Sequence, residues 1–416
     1  MKNNIDAFNK SWFEYAAIFF LTTSLLFVYL SPYWSFEDSS RSASLIRIML
    51  FLTSLFLIPY ALLKNIKIGD QLIKAGPVNV LLSVLFLYLF ISAFFVSEDY
   101  QPARRLLVLV FLFLPFVFLN LSAQFLRNII MLVAVVIAMF AALSLINQYI
   151  QDGLPAGYRK GGLVSSGISG IASFGNTIVA AMHYAIGFTL LIFLFFTETK
   201  RVLLWLWSVL LVFVVIYIAL TFARSAWVTC LVASFVVYAL TFNKAKIRFY
   251  ILPAFLLLAL SYFASKIIGY EIGQRGLTHR DEIWINVISQ IKGHWVFGHG
   301  LSTPFEPIPT LGGRVLVHNS HNVYLEIIYQ TGLIGLLLYL SVLFSVIYTL
   351  FKAYLMKVYD DTSVLLLALL VSVSVVMLTE LNSWIHSPNL LWMWLWAPIA
   401  LSLSFERKLI KPRCNK

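Results

Sequence analysis

The chain has 416 residues, of which 61% are hydrophobic and only 12% charged, about half the charged fraction of a soluble domain. A globule of this length has too little interior for so much apolar surface, so the composition excludes a soluble fold and requires a lipid bilayer. The formal net charge of +12 does not indicate nucleic-acid binding, because the basic residues form small clusters between apolar runs, as in membrane proteins.

Apolar runs long enough to cross a bilayer follow one another along most of the chain, since a spanning helix takes about 20 residues. Between Val202 and Asn243 the only charge is Arg224, and a stretch of that length must be two helices joined by a short turn around Arg224. The sequence therefore predicts an all-α polytopic membrane protein of about twelve transmembrane helices. They are predicted at 14–31, 44–63, 78–96, 103–120, 126–148, 177–196, 202–221, 226–242, 249–265, 323–350, 364–380 and 389–405.

The basic residues predict the orientation of these helices. An even number of crossings puts both termini on one side of the membrane, and more than half of the 30 Lys and Arg residues fall on that side. By the positive-inside rule, both termini and the tail 406–416 are expected in the cytoplasm. Arg104 and Arg105 do not fit this distribution. Two explanations stay open for them: their side chains snorkel to the interface, or they serve the active site.

One long loop, Lys266 to Asn322, lies on the other side of the membrane, between predicted helices 9 and 10. Loops of such length, about 57 residues, are usually functional or disordered. It holds five of the seven histidines, namely His279, His294, His299, His318 and His321.

Within this loop, Thr278 and Asp281 resemble a capping box. The four apolar residues Ile283, Val287, Ile288 and Ile291 then recur along one helical face. The sequence therefore predicts an amphipathic helix over 279–291 that lies on the bilayer surface. The expected organisation is nine transmembrane helices in 1–265, the loop 266–322, three transmembrane helices in 323–405 and the tail 406–416.

The segment His318-Asn319-Ser320-His321-Asn322 leads directly into an apolar helix that contains Gly332 and Gly335. Asn322 is a favourable N-cap residue, which places His321 just outside the positive end of the helix dipole. An imidazolium is disfavoured there, so His321 is expected to be neutral and available as a base. The two glycines share one helical face and are expected to let a neighbouring helix approach closely.

The spacing from His321-Asn322 through nine residues to Gly332, and through two more to Gly335, resembles the signature of the O-antigen ligase superfamily. That superfamily also contains O-antigen polymerases and bacterial O-linked oligosaccharyltransferases. The resemblance extends to the predicted helix number, the long loop before the motif and the high pI. It implies a multi-pass protein of the Gram-negative inner membrane with an active site that faces the periplasm.

The resemblance also implies which residues act. The family has an essential arginine at the outer end of a helix before the long loop, and Arg224 matches it. It has a second arginine before a Trp-containing helix in the loop, and Arg280 matches, although Arg275 is close enough to be confused with it. The histidine of the family motif corresponds to His321. His318 corresponds to no residue with a known role in the family.

The implied activity is a metal-independent, inverting glycosyltransferase without a cofactor. Its donor is a polysaccharide on undecaprenyl pyrophosphate and its acceptor a sugar hydroxyl of lipid A–core in lipopolysaccharide biosynthesis. Guanidinium groups such as those of Arg224 and Arg280 grip pyrophosphate oxygens bidentately, and a neutral His321 can deprotonate or orient the hydroxyl. Arg275, His318 and Asn322 are further substrate-binding candidates.

Other functions stay open on the sequence alone. A polymerase or an oligosaccharyltransferase would use the same donor with a different acceptor. The excess of basic over acidic residues and the length of the chain favour the ligase. A lipid-linked glycan transporter is less favoured, because the predicted helices carry almost no charge near the bilayer midplane. The pair Glu37-Asp38 admits a metal-dependent lipid-sugar glycosyltransferase, while His318 and His321 lack the further ligands of a metal site.

Overall fold

The structure is a computed structural model. It describes residues 2–34, 39–63, 76–95, 101–119, 121–153, 161–241, 279–310, 315–358, 361–381 and 383–410. Four sequence predictions concern residues outside these ranges: the helix 249–265, the capping residue Thr278, the candidate Arg275 and the acidic pair Glu37-Asp38.

The helices follow the order and approximate positions predicted from the sequence. They are α1 (Lys2–Leu30), α2 (Ser39–Leu63), α3 (Pro77–Phe95), α4 (Gln101–Phe118), α5 (Ala123–Asp152), α6 (Thr177–Thr197), α7 (Arg201–Thr221), α8 (Arg224–Thr241), α9 (Arg280–Ile291), α10 (Val323–Leu355), α11 (Thr362–Val376) and α12 (Ala397–Ile410), with strands β1 (Ile308–Thr310) and β2 (Val315–Val317) between α9 and α10. Nine of the helices in the described ranges are long and apolar enough to cross a membrane, and α11 is apolar but shorter. The all-α polytopic membrane fold is confirmed, and the number of about twelve spans stays a prediction.

Burial separates the helices inside the bundle from those at its surface. α6 contains no Asp, Glu, Lys or Arg, and its side chains are buried on nearly every face, as expected of a helix that is apolar all round. α7 instead exposes large apolar side chains such as Val202 and Trp205. Such surfaces are stable in contact with lipid acyl chains but not with water.

Contacts at the two ends of α10 show which helix ends share one side of the bundle. Near the end of α10, the Tyr354 hydroxyl donates to the Leu240 carbonyl near the end of α8, at 2.6 Å. At the start of α10, the Val323 amide donates to the carbonyl of Met377, just beyond α11, at 2.9 Å. The starts of α8 and α10 and the end of α11 therefore lie on one side. We call this side the loop face because α9 packs there on α10 and β1 packs on α9.

α10 is broken at Gly332, whose backbone (φ 67°, ψ −173°) is not helical and lies in a region essentially restricted to glycine. Beyond the break, the amides of Leu333 and Ile334 have lost their helical acceptors. They donate instead to the carbonyls of Trp295, at 2.7 Å, and Val296, at 3.4 Å. A segment of the loop thus replaces part of the hydrogen bonding of a spanning helix.

The same loop segment also satisfies the carbonyls before the break. The amides of His299 and Gly300 donate to the carbonyls of Tyr329, at 2.8 Å, and Gln330, at 2.9 Å. The loop backbone can come this close because position 298 is also glycine, where a Cβ would lie 2.5 Å from the Gln330 carbonyl carbon. Segment 295–300 is therefore built into the helix break.

The two motif glycines have different roles. A Cβ on Gly332 would lie 2.1 Å from the Val296 carbonyl oxygen, so this glycine admits loop backbone. The prediction that it admits a neighbouring helix is wrong, because the break turns the loop, rather than a helix, toward it. Gly335 does lie against a helix, since a Cβ there would come 3.3 Å from Tyr88 Cε1 of α3.

The amphipathic helix is present as α9, but its apolar face packs on protein. Ile283, Val287 and Ile291 form a small second core with Tyr329 of α10 and residues beside and within the β-hairpin, while Ile288 is 40% exposed. The prediction of a helix lying on the bilayer surface through this face is therefore wrong, since periodicity identifies an apolar face but not what covers it.

α12 continues five residues beyond its predicted end. On the side opposite the loop face, it forms hydrogen bonds with the start of α3 and the end of α4. The Glu406 carboxylate accepts from the Val78 amide at 2.8 Å, which caps the start of α3. Arg407 donates to the carbonyls of Val117, at 2.8 Å, and Leu119 at the end of α4. Residues 406–410, predicted as tail, are therefore part of the helix, and 411–416 lie outside the described residues.

Candidate active site

The start of α10 is built by hydrogen bonds on both sides of His321. As predicted, Asn322 is the N-cap, and its side chain accepts from the Leu325 amide at 3.1 Å. On the other side, Ser320 is fixed by the indole of Trp284 in α9, which donates to the Ser320 carbonyl at 3.1 Å. His321 itself has a left-handed backbone with φ 49°, an unusual conformation for a non-glycine residue that its neighbours must hold in place.

The His321 imidazole is half-buried and hydrogen-bonded to the main chain of Glu380. Burial lowers the pKa of His321; the Glu380 carboxylate opposes this shift and the Arg280 charge adds to it, with a net lowering below 6.5. The ring is therefore neutral at pH 7, as expected from the sequence. A neutral imidazole that donates one N–H to a carbonyl has its second nitrogen available to accept a proton.

Arg280 and Glu380 form an ion pair beside this ring. The guanidinium donates to a Glu380 carboxylate oxygen at 2.5 Å, and the two side chains are only 15% and 16% exposed. Arg280 is the first residue of α9, whereas Glu380 lies just beyond α11, so the pair joins two segments 100 residues apart in sequence. The Arg280 Nε–H is buried and has no acceptor among the described residues. A further acceptor, such as an anionic ligand, would satisfy it.

A double-mutant cycle on Arg280→Gln and Glu380→Gln is expected to give a coupling free energy of about 1 to 3 kcal/mol. Each single substitution leaves the remaining charge without its partner at a position that is only 15% or 16% exposed, where water solvates it poorly. The measurement is denaturant unfolding of the detergent-solubilised protein. The matched control is the exposed pair His279 and Glu282, 3.1 Å apart, where coupling should stay below about 1 kcal/mol. Equal coupling in both pairs would contradict the burial argument.

The sequence does not predict Glu380 as a member of the site. Its only signal is an isolated carboxylate directly after an apolar helix, in Thr379-Glu380-Leu381. Such a charge has to face water, a partner or a ligand, and the structure shows that it faces Arg280 and His321. Glu380 therefore completes a group of three side chains, Arg280–Glu380–His321, of which the sequence predicts two.

A second buried carboxylate, Glu326, fixes the segment that carries Glu380. Its two oxygens accept from the Gln330 side chain at 3.0 Å and from the Ser383 amide at 2.8 Å. The Gln330 side-chain oxygen in turn accepts from the Trp384 indole and from the Ser302 amide, each at 3.2 Å. This network joins the first turns of α10 to Ser302 of the long loop and to Ser383 and Trp384, which follow closely after Glu380 in the sequence.

The remaining candidates lie around this group in different ways. Arg224 is the first residue of α8, after a tight turn with a left-handed Phe222, and so lies at the loop face. His318 is exposed, and the Asn322 side chain is used as the helix cap. The structure thus brings Arg280 and His321 together through Glu380. It places Arg224 at the same loop face of the bundle.

In the described part of the chain, no group of three or more His, Cys, Asp or Glu side chains is arranged to hold a metal ion. The two neighbouring loop histidines, His294 and His299, stack on each other with ring centroids 4.0 Å apart, and His299 also stacks on Tyr329. They contribute to packing at the helix break.

Known proteins resemble this chain over the part that contains Arg224, Arg280 and His321. Residues 209–340 match the O-antigen ligase family. The O-antigen ligase of Pseudomonas aeruginosa is 34% identical over 131 residues, which is 31% of this chain and 31% of that protein. The alignment thus covers less than a third of the relative's length. The family match includes α8, α9 and the start of α10, and therefore Arg224, Arg280 and His321.

Proposed function

We propose that this chain, which belongs to the O-antigen ligase superfamily, transfers a glycan from undecaprenyl pyrophosphate to a sugar hydroxyl of lipid A–core. One observation carries the proposal: at the loop face, a half-buried imidazole whose pKa is lowered by burial lies beside a guanidinium whose Nε–H has no acceptor among the described residues. This pairing supplies a base for an attacking hydroxyl and a cation for a departing phosphate. Neither of the two needs a metal ion or a cofactor.

His321 acts as the base. The acceptor hydroxyl oxygen attacks the anomeric carbon of the donor from the face opposite the pyrophosphate and forms the new glycosidic bond, which inverts that carbon. The hydroxyl proton passes to the imidazole nitrogen that does not donate to Glu380. The adjacent Glu380 carboxylate stabilises the resulting imidazolium, because an opposite charge favours the protonated ring.

Arg280 stabilises the leaving group. As the bond from the anomeric carbon to oxygen breaks, negative charge develops on undecaprenyl pyrophosphate, and a guanidinium can donate to two of its oxygens. The Nε–H without an acceptor among the described residues is one such donor. Glu380 holds Arg280 in place before the donor binds, and Arg224, at the same face, is assigned to the same anion.

The proposed orientation puts the loop face in the periplasm and both termini in the cytoplasm. It rests on the distribution of Lys and Arg between the loops, which places the more basic side in the cytoplasm. The membrane is then the Gram-negative inner membrane, in whose outer leaflet both lipid-anchored substrates are accessible to Arg280 and His321.

Deletion of the gene in a strain with long-chain lipopolysaccharide tests the acceptor. Loss of a ligase is expected to leave bare lipid A–core on a gel while long polymer accumulates on undecaprenyl pyrophosphate. Core capped by a single repeat would identify a polymerase, and normal lipopolysaccharide with unglycosylated pilin would identify an oligosaccharyltransferase. Re-expression of the wild-type gene provides the control.

The pH dependence of transfer follows from the lowered pKa of His321. The base must be unprotonated, so kcat/KM should fall on the acid side with a midpoint below pH 6.5, the ordinary pKa of histidine. Glu380→Gln removes the charge that raises the pKa of His321 and should move this limb to still lower pH. A midpoint of the acid-side fall in kcat/KM above pH 6.5 would contradict the assignment of His321 as the base. A shift of this midpoint to higher pH in Glu380→Gln would also contradict it.

A further inference from the structure

A second pocket at the loop face shares no residue with Arg280–Glu380–His321. It lies between α2, α4 and residues 386–392, and several of its side chains are basic. The pocket is lined by Arg47, Arg104, Arg105, Val108, His386, Ser387, Pro388 and Trp392. The Arg47 guanidinium donates to the Ser387 hydroxyl at 2.8 Å, which ties α2 to this segment.

Among the described residues that line this pocket, the ionisable side chains are all basic. None of the described residues that line it is acidic, so three guanidinium groups converge in a chain of which only 12% is charged. Burial, together with the charges of Arg105 and Arg47, lowers the pKa of His386 and keeps its ring neutral. Clustered guanidinium groups repel one another, and a multivalent anion offsets this repulsion through bidentate, charge-assisted hydrogen bonds.

The pocket and the proposed catalytic group share no residue, and the buried Trp384 and Ile385 lie between Glu380 and His386 in the sequence. In the proposed reaction, the donor pyrophosphate is assigned to Arg280 and Arg224, neither of which lines this pocket. The anion of the second pocket is therefore assigned to the other substrate, the acceptor.

We propose that Arg47, Arg104, Arg105 and His386 bind a phosphate group in the headgroup of the acceptor glycolipid. This inference rests on the proposed function for the identity of the acceptor. Arg104 is exposed and Arg105 and His386 are partly exposed, so a headgroup in the bilayer can reach them. In this arrangement Glu380 holds Arg280 at the donor, and His386, six residues later in the sequence, contacts the acceptor.

Steady-state kinetics of the full-length protein in nanodiscs tests this assignment. Arg47→Gln and Arg104→Gln should each raise KM for the acceptor about tenfold, as expected for a lost charge-assisted contact, and change KM for the donor less than twofold. Wild type should show the same rise with an acceptor whose phosphates have been removed, and Arg104→Gln should then show no further rise. The control is Arg201→Gln, an exposed arginine at the start of α7, with unchanged constants. A rise in KM for the donor alone, or no change, would overturn the proposal.

A binding measurement separates this proposal from the proposed function. Native mass spectrometry compares retention of phosphatidic acid, which carries a phosphomonoester, with phosphatidylcholine and with undecaprenyl pyrophosphate. Wild type and Arg201→Gln should retain phosphatidic acid in preference to phosphatidylcholine, whereas Arg47→Gln and Arg104→Gln should lose the preference and keep undecaprenyl pyrophosphate. That pattern supports the anion site even in a protein without transferase activity. Equal retention of phosphatidic acid by all four proteins, or loss of undecaprenyl pyrophosphate in the arginine variants, would overturn it.

Discussion

His321→Ala is expected to reduce glycan transfer by a factor of about 10² to 10⁴, the contribution of a general base. Alanine removes the group that accepts the hydroxyl proton and leaves the Arg280–Glu380 ion pair in place. Transfer to lipid A–core by purified protein in nanodiscs measures the loss, and a lipopolysaccharide gel of the complemented deletion strain measures it in cells. The residual activity should no longer show the acid limb, because the titrating base is gone.

The matched control for this variant is His294→Ala. His294 is an exposed histidine of the same loop whose ring stacks on His299, and its removal should leave transfer within about twofold of wild type. Thermal unfolding of both variants shows whether they fold. A folded His321→Ala protein with wild-type turnover would remove His321 from the mechanism.

Gly332→Ala is expected to destabilise the protein by about 3 kcal/mol or more, because the backbone at φ 67°, ψ −173° is open essentially to glycine alone. The new Cβ would in addition lie 2.1 Å from the Val296 carbonyl oxygen. This neighbour is backbone, so the substitution must displace segment 295–300 or straighten α10. Denaturant unfolding in detergent measures the change in the free energy of unfolding.

Gly293→Ala provides the control for backbone strain. Gly293 also has a positive φ of 87°, but a Cβ there would meet nothing within 4 Å. It should therefore show only the strain of a left-handed residue, about 1 to 2 kcal/mol. If the two variants lose the same stability, the loop segment is not held in the break of α10 as the hydrogen bonds indicate.

The spanning helices could be predicted because the apolar runs are long and the charges between them are few. The two parts of Val202–Asn243 are an example: length alone requires a turn near Arg224, and the structure has α7 end at Thr221 and α8 begin at Arg224. The N-cap at Asn322 could be predicted for a similarly local reason, since the side chain bonds an amide three residues away.

Contacts between distant segments could not be predicted in this way. Glu380 lies 100 residues from Arg280, and a single sequence carries no information about such a pairing. The spacing of Gly332 and Gly335 predicts helix packing at both positions, because a sequence does not reveal that Gly332 has a positive φ. The resemblance to a family supplied Arg280 and His321 as candidates, while their common partner and the cluster of Arg47, Arg104 and His386 emerged only from the structure.

Photocrosslinking of the donor tests most directly whether the glycan-bearing pyrophosphate binds beside His321. The probe is an undecaprenyl-pyrophosphate-linked sugar with a photoreactive group on the first sugar, illuminated with the full-length protein in nanodiscs. The proposed site predicts adducts on peptides around Arg280, His321 and Glu380, which an excess of unlabelled donor removes. Adducts confined to the opposite side of the bundle, around Arg201 or Glu406, would contradict it.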